Sequence, residues 1–515
     1  MKERLSIVKN AAISSLGTYA EYALGLVTSI WIARSLGPTE FGHYSFVIWL
    51  CGWMLIASNN ALTTSSIKFL AEARGREDNE TAKSLTAYLL RLQLASTAAV
   101  ISIFLLTMLT WKPMDWSAGS PWIVPMIVVA VVTRASFAMR VAIAKGFERF
   151  EPEAVATITA GFASLGLVIF TSSRTHAFSA FVLIYMVASI LLDMLVRMLL
   201  RKTLGTGKPS VLPPALLERV KNHLLSTGIM VVLLSMSART IETLLLKATS
   251  TSEALGYFAI SATLAKGAVD VLASGLSATL LPAMARSYGR AANKPSNMLP
   301  DSIRYFGFLG FGLAGGGYLV APAVVHLLYG VKFDGAIFAT QISLVVAGAS
   351  LLAAPINAYQ TSSDLQGDRI KVAAFSLFLN LIAGLLLVPT LGLTGALITH
   401  AIARAAYLLV AITYLQLRAP IPFPTRSVLV MLACGCGSYV VASLSGRLID
   451  EPAAALLEAS IFTALYIATT ISARCWREGD FHLAERLLEK VRAPALVRNG
   501  VLGLSRYCAS DSRRS

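Results

Sequence analysis

A chain of 515 residues that is 56% hydrophobic, only 14% charged and has a mean hydropathy of +0.66 is unlike soluble domains, which carry about 25% charged residues. The same composition excludes disordered, collagen-like and coiled-coil proteins. The net charge of +16 therefore points to basic loops between membrane spans, and no nucleic-acid partner is expected.

A bilayer is crossed by a helix of about 20 predominantly apolar residues. Fourteen segments fit that template, near 10–33, 42–67, 85–110, 121–144, 154–172, 177–200, 224–247, 254–281, 305–329, 336–360, 371–389, 393–416, 425–446 and 453–473. The first is not a cleaved signal peptide, because it holds Glu21 and runs into Arg34 without a small-residue cleavage site. Gly315-Gly316-Gly317 and Pro322 fall inside spans, where they are tolerated better than in soluble helices. The fold expected is an all-α polytopic membrane protein with about fourteen spans.

The basic residues test the map. Loops and span ends on the amino-terminal side hold 32 Lys and Arg, the opposite loops hold 6, and the remaining 6 lie within spans. That asymmetry places both termini in the cytoplasm. The opposite loops are all about ten residues or fewer and cannot house a catalytic domain. Beyond the last span, Leu483, Leu487, Leu488 and Val491 repeat at helical spacing amid Arg486, Lys490 and Arg492, the pattern of an amphipathic helix on the inner leaflet or of a solvated basic tail. Cys51, Cys434, Cys436, Cys475 and Cys508 are too few for a disulfide framework, and Cys434 and Cys436 point apart on a helix, so no metal site is expected.

The chain is also written twice. An offset of 214 residues carries Gly42-His43-Tyr44 onto Gly256-Tyr257-Phe258 and Gly75-Arg76 onto Gly289-Arg290, and it carries span one onto span seven. Both copies start in the cytoplasm, so the repeat is parallel, a construction in which transporters place the substrate path between repeats. The expected organisation is a first lobe over 1–200, a cytoplasmic linker over 201–223 bearing Lys208-Pro209 and Pro213-Pro214, and a second lobe over 224–417. Two extra helices follow in 418–473, then a basic tail in 474–515.

Ionisable residues near the bilayer centre cost about 2.5–3.5 kcal/mol each and mark functional positions. Here they are Glu21, Arg134, Arg239, Glu242, Lys266, Asp270 and Arg404, with His400 one turn before Arg404. Ser14, Thr18, Glu21, Gly25 and Thr28 form one helical stripe, and the offset carries it onto Gly228, Val232, Ser235, Arg239 and Glu242. Arg239 with Glu242, and Lys266 with Asp270, have the spacing of intrahelical pairs, which can also line a path. Asp193 with Arg197 reads as an interfacial pair. Arg134 and Arg404 have no acid within a turn and are candidates for substrate contact. Glu21 is either a protonatable gate or the partner of a cation on another helix. Arg suits phosphate because its planar fork donates paired hydrogen bonds.

Ala33-Arg34-Ser35-Leu36-Gly37-Pro38 followed by Glu40-Phe41-Gly42-His43-Tyr44 resembles the opening of the polysaccharide-biosynthesis flippases of the multidrug/oligosaccharidyl-lipid/polysaccharide exporter superfamily. Gly256-Tyr257-Phe258 leading to Leu281-Pro282, and Gly392-Leu393-Thr394-Gly395-Ala396, resemble that family's second half, so the likeness covers about residues 8–416. The resemblance implies two lobes of six helices, alternating access and transfer of an undecaprenyl-diphosphate-linked glycan across the bacterial inner membrane. It implies a substrate cavity bearing Arg134, Arg239, Lys266, Arg404 and His400, coupling or gating through Glu21, Glu242 or Asp270, and no cofactor beyond a coupling H+ or Na+. The implied partners are the anionic lipid-linked glycan, membrane lipids and other polysaccharide-assembly proteins. A cation-coupled multidrug exporter or a flippase for the lipid-linked peptidoglycan precursor is the alternative within the superfamily. A membrane-embedded glycan polymerase or ligase is disfavoured by the short outer loops, so a transporter rather than an enzyme is expected.

Overall fold

The computed structural model describes residues 2–110, 121–201, 212–238, 241–290, 298–363, 365–418, 421, 423–445, 453–476 and 480, with side chains from residue 17 except at 234, 236–238, 274–279, 281–283, 285–290, 366 and 453. Arg239, the Lys208-Pro209 part of the linker and the amphipathic stretch of the tail lie outside them. The described regular structure is helical throughout: α1 (Lys2–Asn59), α2 (Leu62–Gly75), α3 (Asn79–Thr110), α4 (Ile123–Gly146), α5 (Glu151–Ser172), α6 (Phe178–Leu200), α7 (Pro214–Ala238) and α8 (Glu242–Thr249). Then follow α9 (Ser252–Arg290), α10 (Met298–Tyr329), α11 (Gly335–Ser350), α12 (Ala353–Ser362), α13 (Gln366–Arg418), α14 (Thr425–Ser445) and α15 (Ala453–Ser472), with a short 3-10 turn at Val331–Phe333.

Among the described residues, 11 helices are long and apolar enough to cross a membrane. Two of them, Gly17–Gly75 with 59 residues and Gly367–Arg418 with 52, are far longer than the roughly 20 residues one crossing needs. Each contains a break. Gly37 has φ 73° and Gly392 has φ 55°, a left-handed backbone that glycine adopts without the Cβ penalty. Pro38 follows Gly37 and restarts the helix, since a first-turn proline gives up no hydrogen bond. The expected seventh span falls on α7 and α8, either side of residues 239–240. Side chains such as Leu109, 83% exposed, leave the outer surface apolar, as a lipid-facing wall requires.

The chain divides into two compact units, one of Met1–Ile260, Val325–Ala339 and Ala373–Ala403, the other of Ser261–Val324, Thr340–Val372 and Arg404–Ser515. These interleave along the chain, whereas the sequence suggests consecutive lobes over 1–200 and 224–417. The physical reason lies in the first unit, where the helix ends of the second copy pack onto those of the first.

Within the first unit, small residues set the helix spacings. Gly17 lies against Ala154, Gly161 receives Leu24, and Gly146 receives Leu70. A core of Leu62, Phe69, Leu70, Leu85, Leu89, Met139 and Ile143 joins α2, α3 and α4, and Val141, Ala156, Ala160, Leu192 and Val196 join α4, α5 and α6.

The closest approach lies where α1 resumes after Gly37. A Cβ on Gly42 would stand 1.7 Å from the Ser252 carbonyl oxygen, and one on Gly256 would stand 2.3 Å from the Pro38 carbonyl oxygen. Gly42 and Gly256, like Pro38 and Ser252, are related by the 214-residue offset, so the two copies meet at equivalent backbone positions. Aromatic and polar groups surround this contact. Phe41 and Tyr257 both set their rings edge-on to Phe333, and Lys247 Nζ lies 3.3 Å from His43 Nδ1 and 3.2 Å from Ser252 Oγ. Arg34 donates from Nε to the Leu328 carbonyl at 2.7 Å and from its terminal nitrogen to that of Leu327, holding the carboxyl end of α10. Glu40 accepts the Phe178 N–H at the start of α6.

The second unit has its own core, including Leu299, Ile303, Phe306, Leu344, Leu351, Ile356 and Leu415. Gly310 and Gly348 bring α10 and α11 together, each Cβ position lying 2.3 Å from the other's carbonyl oxygen. Phe308, Tyr466 and Phe462 stack, and Trp476 meets Phe308 edge-on, which fastens α15 to α10. Arg304, 2% exposed, is held by Asp301 and by Asp480, which also accepts the Tyr305 hydroxyl.

Gly42→Ala forces a methyl into a backbone oxygen, a change that overpacking data value at about 1–3 kcal/mol. In a chain lacking its native cysteines, a Leu255→Cys reporter, buried here, is expected to stay unlabelled by a membrane-impermeant thiol reagent and to become labelled once Gly42→Ala is added.

Candidate functional site

Arg134 sits on α4, in the first unit, where its Nε donates to Ser189 Oγ at 3.0 Å and its guanidinium plane lies 4.3 Å from the Tyr185 ring centroid. Ser189 and Tyr185 are one turn apart on α6, so one face of that helix presents both a hydroxyl and an aromatic surface to the cation. No ion pair engages Arg134 among the described residues. Glu21 on α1 is exposed, and Arg134, Glu153 and Lys145 are the charges acting on it. Lys145 and Glu153 are themselves joined at 2.8 Å. Glu21 and Arg134 are therefore electrostatically coupled without being bonded. Gly25, one turn beyond Glu21, faces open space, as the polar stripe requires.

Further along α6, Asp193 is shared by two guanidiniums, Arg197 on the same helix and Arg140 on α4. Arg197 Nε lies 2.7 Å from Oδ2, and Arg140 Nε lies 3.7 Å from Oδ1. Both arginines also meet Ser136 Oγ. The sequence pairs Asp193 with Arg197 alone; in the structure Arg140 completes a cluster with one net positive charge.

Glu242 is fully buried, at 0% exposure. Its Oε1 accepts a hydrogen bond from Asn380 Nδ2 at 2.8 Å and lies 3.6 Å from His400 Nδ1. Its Oε2 and the hydroxyl of the nearby-numbered Thr399 are buried without hydrogen-bond partners. A carboxylate so enclosed is stable only with a compensating positive charge or a proton of its own. The imidazole can supply the proton, and the free oxygen can take a cation. Asn380 is not among the residues the sequence singles out, although an amide inside the expected span 371–389 is itself a polar signal.

In the second unit, Lys266 Nζ and Asp270 Oδ2 lie 2.6 Å apart on α9, four residues apart, so the two charges neutralise each other locally. Both side chains are substantially exposed. Arg404, on α13, is half-buried. The residues proposed from sequence thus fall into groups: Glu21 with Arg134, Glu242 with His400, and Lys266 with Asp270.

Several polar residues escaped sequence reasoning because their partners are far away in the chain. Arg304 and Asp480 are 176 positions apart, and Lys247 and His43 are 204 apart.

Comparison with known proteins gives one family and one fold. The profile of a family described as "Polysaccharide biosynthesis protein" matches residues 7–288, more than half of the chain. No curated protein matches the sequence. Among solved structures, "Lipid II flippase MurJ, inward closed conformation" aligns with a TM-score of 0.71 at 13% identity, covering 89% of this chain and 98% of that one. An inward-facing multidrug resistance MATE family transporter of the MOP superfamily aligns with a TM-score of 0.61 at 14% identity, over 77% and 94%. A MOP superfamily transporter from Pyrococcus furiosus aligns at 0.52 and 17% identity, over 80% and 95%. At these identities the likeness is one of fold, and it establishes a multi-pass membrane architecture.

Removing His400 leaves the Glu242 carboxylate buried without a titratable partner, a situation that costs about 3–5 kcal/mol in buried pairs. His400→Ala is therefore expected to lower the melting temperature in detergent. Glu242→Gln, added to that variant, is expected to restore most of the loss, measured as a double-mutant cycle.

Proposed function

The chain belongs to the polysaccharide biosynthesis protein family, and from that membership we propose that it is a flippase for surface-polysaccharide assembly. In this proposal it moves an undecaprenyl-diphosphate-linked oligosaccharide from the inner to the outer leaflet of the bacterial inner membrane, with both termini in the cytoplasm.

Arg134 is the observation that carries the proposal. Its cost at membrane depth is about 2.5–3.5 kcal/mol, and no carboxylate among the described residues forms an ion pair with it, Glu21 acting on it only from a distance. A stacked, hydroxyl-oriented guanidinium keeps part of its donor fork for a ligand, and the diphosphate of a lipid-linked glycan is a ligand of matching charge and geometry. Arg404 and Lys266, together with Arg239, are proposed as further cationic contacts. Glu21 acts on Arg134 from α1 and is proposed to take its charge over when substrate leaves.

The contact between Gly42 and Gly256 lies just beyond the break at Gly37, between the first and second spans, which the loop charges put on the outer side. A closed outer end suits a state that receives substrate from the cytoplasm. Transport then requires this contact to part while the headgroup passes and the lipid tail stays in the bilayer. Glu242, with His400 and Asn380 on one of its oxygens, is the proposed coupling site. Binding or release of H+ or Na+ there changes the charge of a buried group close in sequence to Lys247 and Ser252 at the outer contact.

Deletion of the gene is expected to abolish surface polysaccharide and to leave its lipid-linked precursor accumulating on the cytoplasmic face. Arg134→Ala is expected to reduce flux about 10- to 100-fold with membrane insertion intact, the range that loss of a charged hydrogen bond of 1.5–3 kcal/mol gives. Arg404→Ala is expected to reduce it as well. Unchanged polysaccharide and precursor with altered drug resistance would instead assign an exporter, and arrested peptidoglycan synthesis would assign its lipid-linked precursor as substrate.

A further inference from the structure

A groove of about 600 Å3 opens among α1, α2, α3 and α7 in the first unit. Its walls are mostly aliphatic, with Leu62, Leu92, Leu225 and Ile229 prominent and Asn60 and Gly228 at one side. Two backbone features create it. The helix breaks between Asn59 and Leu62, where Ala61 takes a left-handed φ of 50°. On the facing helix Gly228 has no side chain, and a Cβ there would lie 3.1 Å from Asn60 Nδ2. The Asn60 Oδ1 is buried without a hydrogen-bond partner. Leu225 and Ile229 are 68% and 55% exposed, so in a membrane the groove meets hydrocarbon rather than water.

One end of the groove is cationic. From Leu62, α2 runs about 9 Å along its axis to Lys68, at 1.5 Å per residue. Lys68 Nζ lies 3.5 Å from His223 Nδ1 on α7, and Lys68 and Arg219 both stand over the Phe69 ring. The carboxylate here, Glu72, is occupied by Arg219 and Arg76, each at 2.7 Å. Lys68 has no ion-pair partner among the described residues. The loop charges place this end at the cytoplasmic leaflet. An aliphatic channel at membrane depth, leading to an unpaired ammonium at headgroup depth, has the polarity of an acidic phospholipid.

We propose that this groove binds one acidic phospholipid of the inner leaflet, with an acyl chain along Leu62, Leu92 and Ile229 and its phosphate at Lys68 and His223. The volume lies in the ordinary range of small-molecule sites, about 300–1,000 Å3, and suits an acyl chain better than a whole undecaprenyl tail. The proposal rests on the membrane setting and the loop charges, not on the identity of the transported glycan.

The test is photo-crosslinking of the full chain in phosphatidylcholine nanodiscs containing a trace of phosphatidylglycerol with a diazirine on its acyl chain. Adducts are expected on peptides covering residues 57–62, 92–96 and 224–233, in excess over those from a matching phosphatidylcholine probe. Lys68→Gln, a change at an exposed position, is expected to lower the phosphatidylglycerol yield about fivefold, the effect of one basic residue at a membrane surface, and to leave the phosphatidylcholine yield unchanged. Ile229→Trp, which fills the groove, is expected to lower both. Equal labelling by the two probes in the unmodified chain would overturn the proposal, as would insensitivity to Lys68→Gln. Displacement of the phosphatidylglycerol probe by equimolar undecaprenyl phosphate would also overturn it, by assigning the groove to a polyprenyl tail.

Discussion

The contact of Gly42 with Gly256 is the constraint on which the first unit depends. Each glycine admits the other segment's backbone oxygen to a distance that no side chain allows. The neighbouring residues serve that approach. Gly37 and Pro38 turn the chain so that α1 resumes beside α9, Arg34 holds the end of α10, and Phe41, Tyr257 and Phe333 close the apolar surround. The stretch from Arg34 to Tyr44 that carries the family likeness is, physically, one half of this contact. The other half is its copy, 214 residues on.

The charges carried on the helices divide by how each is compensated. Lys266 and Asp270 neutralise each other within a turn, and the charge of Arg304 is balanced by two aspartates. Both arrangements would exist in a protein with no ligand. Glu242 is only half satisfied, with one oxygen shared between Asn380 and His400 and the other without a partner. Arg134 has a hydroxyl and a ring but no bonded anion, Glu21 acting on it only from a distance. Incomplete compensation is costly at membrane depth and serves a purpose only where a mobile charge completes it. On that argument Arg134 is the proposed contact for the anionic substrate and Glu242 the proposed site of a coupling cation.

What the sequence revealed follows from the range of each interaction. Helices were legible because membrane burial needs long apolar runs, and Lys266 with Asp270 because four residues fix a helical pair. The repeat showed that Gly42 and Gly256 are equivalent, but equivalence does not imply contact, and only the folded chain brings them together. Asn380 and Asp480 were illegible because their partners lie 138 and 176 positions away. Repeat symmetry reports how a chain is built, whereas compactness reports what packs. Helix ends of the second copy pack on the first at the outer contact, and so they group with it.

The central claim is that this outer contact must open for substrate to cross. Phe41→Cys and Phe333→Cys, introduced together in a chain lacking its native cysteines, place two thiols where the rings now lie with centroids 6.3 Å apart. A short bis-thiol reagent would bridge them, and transfer of a fluorescent lipid-linked glycan across proteoliposomes would then be measured. Loss of transfer in the bridged protein, with transfer retained in each single variant treated with the same reagent, is the predicted result. Undiminished transfer through a fully bridged protein would contradict it.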